Sequence, residues 1–145
     1  MSILSKEKIL LSAAAKDKYE AIRIAGELLV KAGHVEPAYV DRMIDRENIV
    51  STYMGNGLAI PHGTKEGKDL IHSTGLSIVR FPDGVDFDGD EPAFVVIGIA
   101  GAGGDHMQIL TNVAMIFSED ESLEQVMNAP TEEAIMAIFE GGLED

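Results

Sequence analysis

The sequence predicts an α/β fold: a single domain built on one mixed, mainly parallel β-sheet with helices on both faces. Residues 93–100, AFVVIGIA, are apolar nearly throughout, as expected of a central strand covered from two sides. Other strand-like runs alternate along the chain with segments of helical period, the pattern of strands joined by crossover helices. At 145 residues and 46% hydrophobic side chains the chain can fill a core of its own. No repeat, low-complexity segment or long linker divides it, so residues 1–145 read as one domain.

In chain order, Ile9, Leu10 and Leu11 suggest a first strand or strand edge. From Asp17 the period is helical, with Ala21, Ala25, Leu28 and Ala32 on one side and Gly33 as a natural stop. Asp17 followed by Glu20 resembles a capping box, and Gly26 costs helix stability unless something packs closely on it. Pro37 suits the first turn of a second helix, along which Val40, Met43, Ile44 and Glu47 share a face. Residues 75–81 (GLSIVRF) read as a strand. Residues 82–92 (PDGVDFDGDEP) read as an acidic loop leading to the central strand.

The central strand empties into Gly101, Ala102, Gly103 and Gly104, and Asp105 can cap a helix from about His106 to Phe117. That helix is expected to be largely buried, with its methionines as core filler. Ser118 with Glu121 forms a second capping-box pattern, and Asn128, Ala129 and Pro130 break the helix that follows. Thr131, with Glu132 and Glu133 in the first turn, caps a last helix carrying Ile135, Ile138 and Phe139 and ended by Gly141 and Gly142.

The stretch with most chemical promise is residues 55–65, GNGLAIPHGTK. Leu58, Ala59 and Ile60 form a buried-looking run that Pro61 must end, since it has no N–H for a sheet and biases Ile60 toward extended geometry. His62 therefore sits on a sharp exit from a core strand, with Gly63 behind it to allow backbone angles closed to other residues. This position could hold an exposed, well-supported nucleophile, or a surface turn without a function.

Composition narrows the field. A net charge of −14, from 25 acidic and 11 basic residues, suits nucleic acid poorly, because Lys and Arg supply most of the attraction to phosphate. No apolar run of membrane-spanning length and no basic, then apolar, signal segment is found, so direct membrane insertion is not expected and the cytoplasm is the default. The absence of cysteine removes disulfides and thiolate chemistry. Asp86, Asp88 and Asp90 invite a calcium reading, but Gly89 falls too early for the EF-hand pattern. The glycine loop at 101–104 lacks the third glycine of a dinucleotide fingerprint, where His106 stands, and no P-loop is present.

His62 and His106 each follow a strand-like run, and Arg46 precedes the first by one short loop. In an α/β sheet such loops gather beyond the carboxyl ends of the strands, so the three could converge. A neutral imidazole is a competent nucleophile near neutral pH, and a phosphoryl group placed on it would need donors that Arg46 and the second histidine could supply. Read locally, Arg46 is first a solvated helix charge, the alternative being an anion-binding arginine near the end of the helix. A metal site would lack any ligand spacing linking His34, His62, His72 and His106, and a serine hydrolase would lack its GxSxG elbow. His34, at a helix end, and His72, in a polar loop, read as surface residues or helix-end charges.

Residues 42–47 (RMIDRE), 55–64 (GNGLAIPHGT), 73–87 (STGLSIVRFPDGVDF) and 96–101 (VIGIAG) followed by 105–110 (DHMQIL) together resemble one family. It is the mannitol/fructose-type IIA component of the bacterial phosphoenolpyruvate-dependent sugar phosphotransferase system, with the mannitol branch nearest. The resemblance implies that His62 accepts a phosphoryl group on Nε2 from the phosphohistidine of HPr and passes it to a IIB partner, whose acceptor in mannitol-type systems is a cysteine. It also implies that Arg46 and His106 stabilise the phosphohistidine, and that no cofactor or nucleotide is required. An acidic surface around His62 could guide a carrier presenting positive charge. The alternative is a regulatory IIA protein of the nitrogen type, acting by protein contact.

Overall fold

The computed structural model describes residues 3–143. Its centre is a five-stranded sheet in the order β1-β4-β5-β3-β2, comprising β1 (Ile9–Leu10), β2 (Tyr53–Gly55), β3 (Leu58–Ala59), β4 (Gly75–Val85) and β5 (Ala93–Ala100). The sheet is mixed, as the sequence predicts. Its parallel share is the β1/β4 and β3/β5 pairs, while β4/β5 and β2/β3 run antiparallel. The antiparallel β4/β5 pair arises because β4 continues through Val85, so residues 86–92 form the turn of a long hairpin rather than a free acidic loop.

Side chains alternate across the two long strands and divide the core in two. Leu76, Ile78, Val95, Ile97 and Ile99 face one cluster, and Val79, Phe81, Val96 and Ala100 face the other. On the second face lie α1 (Lys18–Lys31) and α2 (Tyr39–Ile49), contributing Ala21, Ile22, Leu29, Tyr39 and Met43. On the first lie α3 (Asp105–Ile116), α4 (Asp120–Asn128) and α5 (Glu132–Leu143), contributing Ile109, Val113, Val126, Ile135 and Phe139. Each wholly buried Leu, Ile or Phe removes enough apolar surface from water to contribute roughly 2 kcal/mol before entropy is counted.

Local details show why these elements sit where they do. Asp17 caps α1 by accepting the Glu20 N–H at 2.9 Å. Gly26 lets α2 approach closely: a Cβ there would lie 2.8 Å from Val40 Cγ2 and 3.2 Å from Met43 Sδ. Thr131 accepts the Ala134 N–H at 3.1 Å at the head of α5, which then runs on past the two glycines to Leu143. Ser118 differs from its capping-box reading. Its hydroxyl donates back to the Met115 carbonyl at 2.7 Å and closes α3, while α4 begins after Glu119 without a side-chain cap. Arg80 ties the layers together by donating to the carbonyls of Leu11, Val126, Met127 and Ala129, satisfying the otherwise orphaned end of α4.

Candidate functional site

Because β3 and β5 are parallel, both release their chains at the same edge of the sheet, β3 into His62 and β5 into the glycine loop before His106. Pro61 ends the β3 ladder, and its carbonyl accepts the Ile99 N–H at 2.9 Å, leaving His62 beside Ile99 in an isolated parallel bridge. The two imidazoles meet, with ring centroids 5.2 Å apart and planes tilted by 59°. Arg46, near the carboxyl end of α2, lines the same open cleft of about 970 Å³ and donates from Nη1 to the Val50 carbonyl at 2.7 Å. The three residues singled out from the sequence thus share one cleft.

The tautomer of His62 follows from its surroundings. Its Nδ1 lies 2.8 Å from the Ile60 carbonyl, which can only accept, so Nδ1 carries the hydrogen and Nε2 keeps a lone pair. Burial pushes the ring below the ordinary histidine range, and His106 and Arg46 push the same way against the Ile60 bond and the Glu47 charge. His106 is lowered by burial first and then by Lys68 and Arg46. Both rings are therefore neutral at pH 7, and His62 offers an unprotonated nitrogen beside a cluster of positive charge.

Tyr39 holds the strand exit in shape. Its hydroxyl accepts the Gly63 N–H at 2.9 Å and donates to the Ile99 carbonyl at 2.9 Å. Burial raises this phenol to about 12, so it keeps its proton. Gly63 is needed for space: its φ is not positive, but a Cβ would lie 2.5 Å from Tyr39 Cε1. Glu47 and Thr52 complete the support beneath the cleft. A signal for Glu47 was present in the sequence, since a carboxylate on the same helical face as Val40 and Met43 must be buried and bonded.

Several expectations are corrected. The surface next to His62 is cationic, formed by Arg46, Lys65 and Lys68 with Glu66 among them; Glu91, Glu119 and Glu124 line a separate hollow that shares Met54 and Ala114 with the cleft. The α3 methionines are not core filler, since Met107 and Met115 are each 67% exposed. The helix is one-sided, burying Ile109, Asn112 and Val113 while Met107 joins Ile49 and Met54 on the cleft wall. Asp105 is the first residue of α3 rather than its cap, and it accepts from the Thr74 hydroxyl at 2.8 Å. His34 is fully buried, held between Lys8 and Ser73. His72 is at the surface as expected, against Glu36. Among the described residues no group of His, Asp and Glu side chains is gathered so as to hold a metal ion, and no helix is long and apolar enough to cross a membrane.

Residues 2–141 match the family model described as phosphoenolpyruvate-dependent sugar phosphotransferase system, EIIA 2. The mannitol-specific phosphotransferase enzyme IIA component of Geobacillus stearothermophilus is 48% identical over 139 residues, covering 96% of each chain. Among solved structures, the complex of enzyme IIAMTL and phosphorylated enzyme IIBMTL from Escherichia coli matches with a TM-score of 0.88 and 37% identity, over 95% of this chain and 97% of that one. The nitrogen regulatory protein IIA-Ntr of Neisseria meningitidis matches with a TM-score of 0.83 and 27% identity, over 94% and 96%.

Proposed function

This chain belongs to the EIIA 2 family of the phosphoenolpyruvate-dependent sugar phosphotransferase system and is a phosphotransferase component; from that premise we propose that His62 is the residue on which its phosphoryl group travels. The observation that carries the reading is the Nδ1–H bond to Ile60, which leaves the Nε2 lone pair as the ring's free nucleophile. In the reaction, that lone pair forms a bond to phosphorus as the N–P bond of a donor phosphohistidine breaks, and the electron pair of the broken bond returns to the donor nitrogen. No proton need leave His62, because Nδ1–H stays on Ile60. The ring becomes cationic, and the phosphoryl group brings charge of nearly −2 into the cleft.

Arg46 and His106 stabilise that group. An always-charged guanidinium and a neutral imidazole able to donate are the right chemistry for phosphoryl oxygens, and both line the cleft. Positioning and electrostatics suffice for such a transfer without a cofactor. The donor is HPr and the acceptor a IIB component, with a cysteine as its nucleophile in a mannitol-type system. The whole of residues 1–145 is one IIA domain acting in the cytoplasm. Ile49, Met54 and Met107, exposed around the cleft, give a protein partner an apolar rim to close over and exclude water.

A mannitol-type transport role is favoured over nitrogen-type regulation by the identities, 48% to the mannitol-specific relative against 27% to the nitrogen regulatory protein. Incubation with phosphoenolpyruvate, enzyme I and HPr, followed by intact mass and peptide mapping, is the test. It should place one acid-labile phosphate on His62, absent from His62→Ala, and an unmodified wild-type chain would end the proposal. Reconstitution with a mannitol-type IIB then separates transport from regulation, because a purely regulatory protein would take up phosphate and not pass it on.

A further inference from the structure

We infer that Glu47 is a positioning residue for phosphoryl transfer, acting on His62 through Thr52 and Ile60; the inference rests on the reading of His62 above. Glu47 is a carboxylate with 0% side-chain exposure, on the face of α2 that packs against the core. Burial alone would raise its carboxyl, but bonds from Ser51, Thr52 and Lys18 outweigh that and hold it ionised. One oxygen, Oε1, accepts both the Thr52 N–H at 2.8 Å and the Thr52 hydroxyl at 2.7 Å. The other accepts from Lys18 Nζ at 3.2 Å, and Lys18 is in turn anchored by Asp88 at 2.8 Å.

Thr52 is the link to the reacting ring. Its carbonyl accepts the Ile60 N–H at 3.0 Å, and the Ile60 carbonyl accepts Nδ1–H of His62 at 2.8 Å. A run of bonds therefore joins the Glu47 carboxylate to the nitrogen that must stay protonated if Nε2 is to attack. Two properties follow. The run fixes the backbone of Ile60, which selects the tautomer and aims the ring. The same carboxylate supplies the negative charge that His62 feels among Arg46 and His106, so it favours the cationic ring formed when phosphorus is bound.

The two properties separate in two variants. Glu47→Gln keeps an amide oxygen for Thr52 but removes the charge, and Glu47→Ala removes both. Nitrogen-15 NMR of the free protein reads the His62 tautomer and titration, and rapid-quench phosphorylation by phospho-HPr reads the rate. In Glu47→Gln the Nδ1–H tautomer should persist while the ring titrates lower, and the phosphorylation rate should fall roughly tenfold with the KM for phospho-HPr unchanged. In Glu47→Ala the two tautomers should mix and the rate should fall further.

Where Glu47→Ala does not fold, Glu47→Gln alone decides. An unshifted titration together with an unchanged rate in that folded variant would overturn the inference, as would an unmixed tautomer in a folded Glu47→Ala. Because the NMR readout needs no partner, a wild-type chain that takes up no phosphate would overturn the reading of His62 and leave the link between Glu47 and His62 to be judged by the spectra.

Discussion

Two histidines of this molecule are buried, and only one keeps a ring nitrogen uncommitted at an open cleft. His62 is 7% exposed and His34 0%, and burial pushes both rings below the ordinary histidine range. They differ in what remains free. At His34 both nitrogens are engaged, Nε2 at 2.6 Å from Lys8 Nζ and Nδ1 at 2.9 Å from Ser73 Oγ. Lys8 can only donate, so Nε2 of His34 accepts and its lone pair is spent on structure. At His62 the backbone takes Nδ1–H and leaves the Nε2 lone pair on a cleft. Desolvation makes an imidazole neutral, but an uncommitted lone pair at a surface that a partner can reach makes it a nucleophile.

The largest effect that can break this contrast is removal of each ring. His62→Ala should abolish phosphate uptake from phospho-HPr while the fold persists, because Nδ1 supports only one backbone carbonyl. His34→Ala should leave the phosphorylation rate within about twofold and lower stability by roughly 3 kcal/mol, through a cavity and a stranded Lys8. Denaturant titration and phosphorylation of the same two proteins check both halves. Phosphorylation lost in a folded His34→Ala would mean that the two regions are not separate.

The supporting groups come next. Arg46→Met should slow uptake by roughly a hundredfold, the usual scale for removing one charged stabiliser of a transferring phosphoryl group. His106→Gln, which keeps a donor, should cost less than His106→Ala. Rapid-quench rates rank the three, and an Arg46→Met rate equal to wild type would return Arg46 to the status of a solvated helix charge.

Much of this contrast could be read in advance, and the part that could not has a physical cause. Pro61 marks a strand end by what it lacks, so the placement of His62 at a strand exit follows from local chemistry. The same holds for Asp17 and Thr131, whose caps are decided within four residues. The burial of His62, to 7% exposure rather than the exposed position expected, depends instead on residues from other elements packed around it. His34 misleads because its local signal, a glycine and a helix end, says surface. Its burial is decided by Lys8, 26 positions earlier, and Ser73, 39 positions later. The α3 methionines mislead in the opposite sense: apolar residues all round a helix suggest full burial, and only the open cleft leaves Met107 without a covering layer. The hairpin through Val85 was hidden because its acidic residues resemble a loop while Val85 and Phe87 pack inward.

The two regions also separate on pH. His34 protonates in the folded protein only at about 4, against 6.5 for an ordinary histidine. Between those values the unfolded chain binds the extra proton, so stability falls as pH drops through this window, by up to about 3 kcal/mol. Lys8, lowered to about 8 by burial, works in a second window: from there to 10.5 the unfolded chain again holds more protons, and stability rises with pH. His34→Gln should flatten the acid limb. The phosphorylation rate has its own dependence, because His62 is lowered as well and stays neutral below 6.5; uptake should hold steady from pH 7.5 to below that value. Chemical denaturation and quench kinetics across pH 4.5–7.5, roughly spanning the histidine range, test the two behaviours in one set of samples.

His72 supplies the smallest effect and the sharpest control. It is the histidine that sequence reasoning placed correctly at the surface, half exposed and bonded through Nε2 to Glu36, itself half exposed. Exposed pairs of this kind contribute about 0.5 kcal/mol or less, because water and salt screen the charges and two side chains must be held still. His72→Gln should therefore leave phosphorylation unchanged, and its unfolding free energy should stay within about 0.5 kcal/mol of wild type at low and high salt. The backbone at this position is less indifferent than the side chain, since the His72 N–H donates to the His34 carbonyl at 2.7 Å and helps to seal the buried histidine. A larger loss in His72→Gln would show that the Glu36 contact holds that seal, and the structural region around His34 would then extend to the surface.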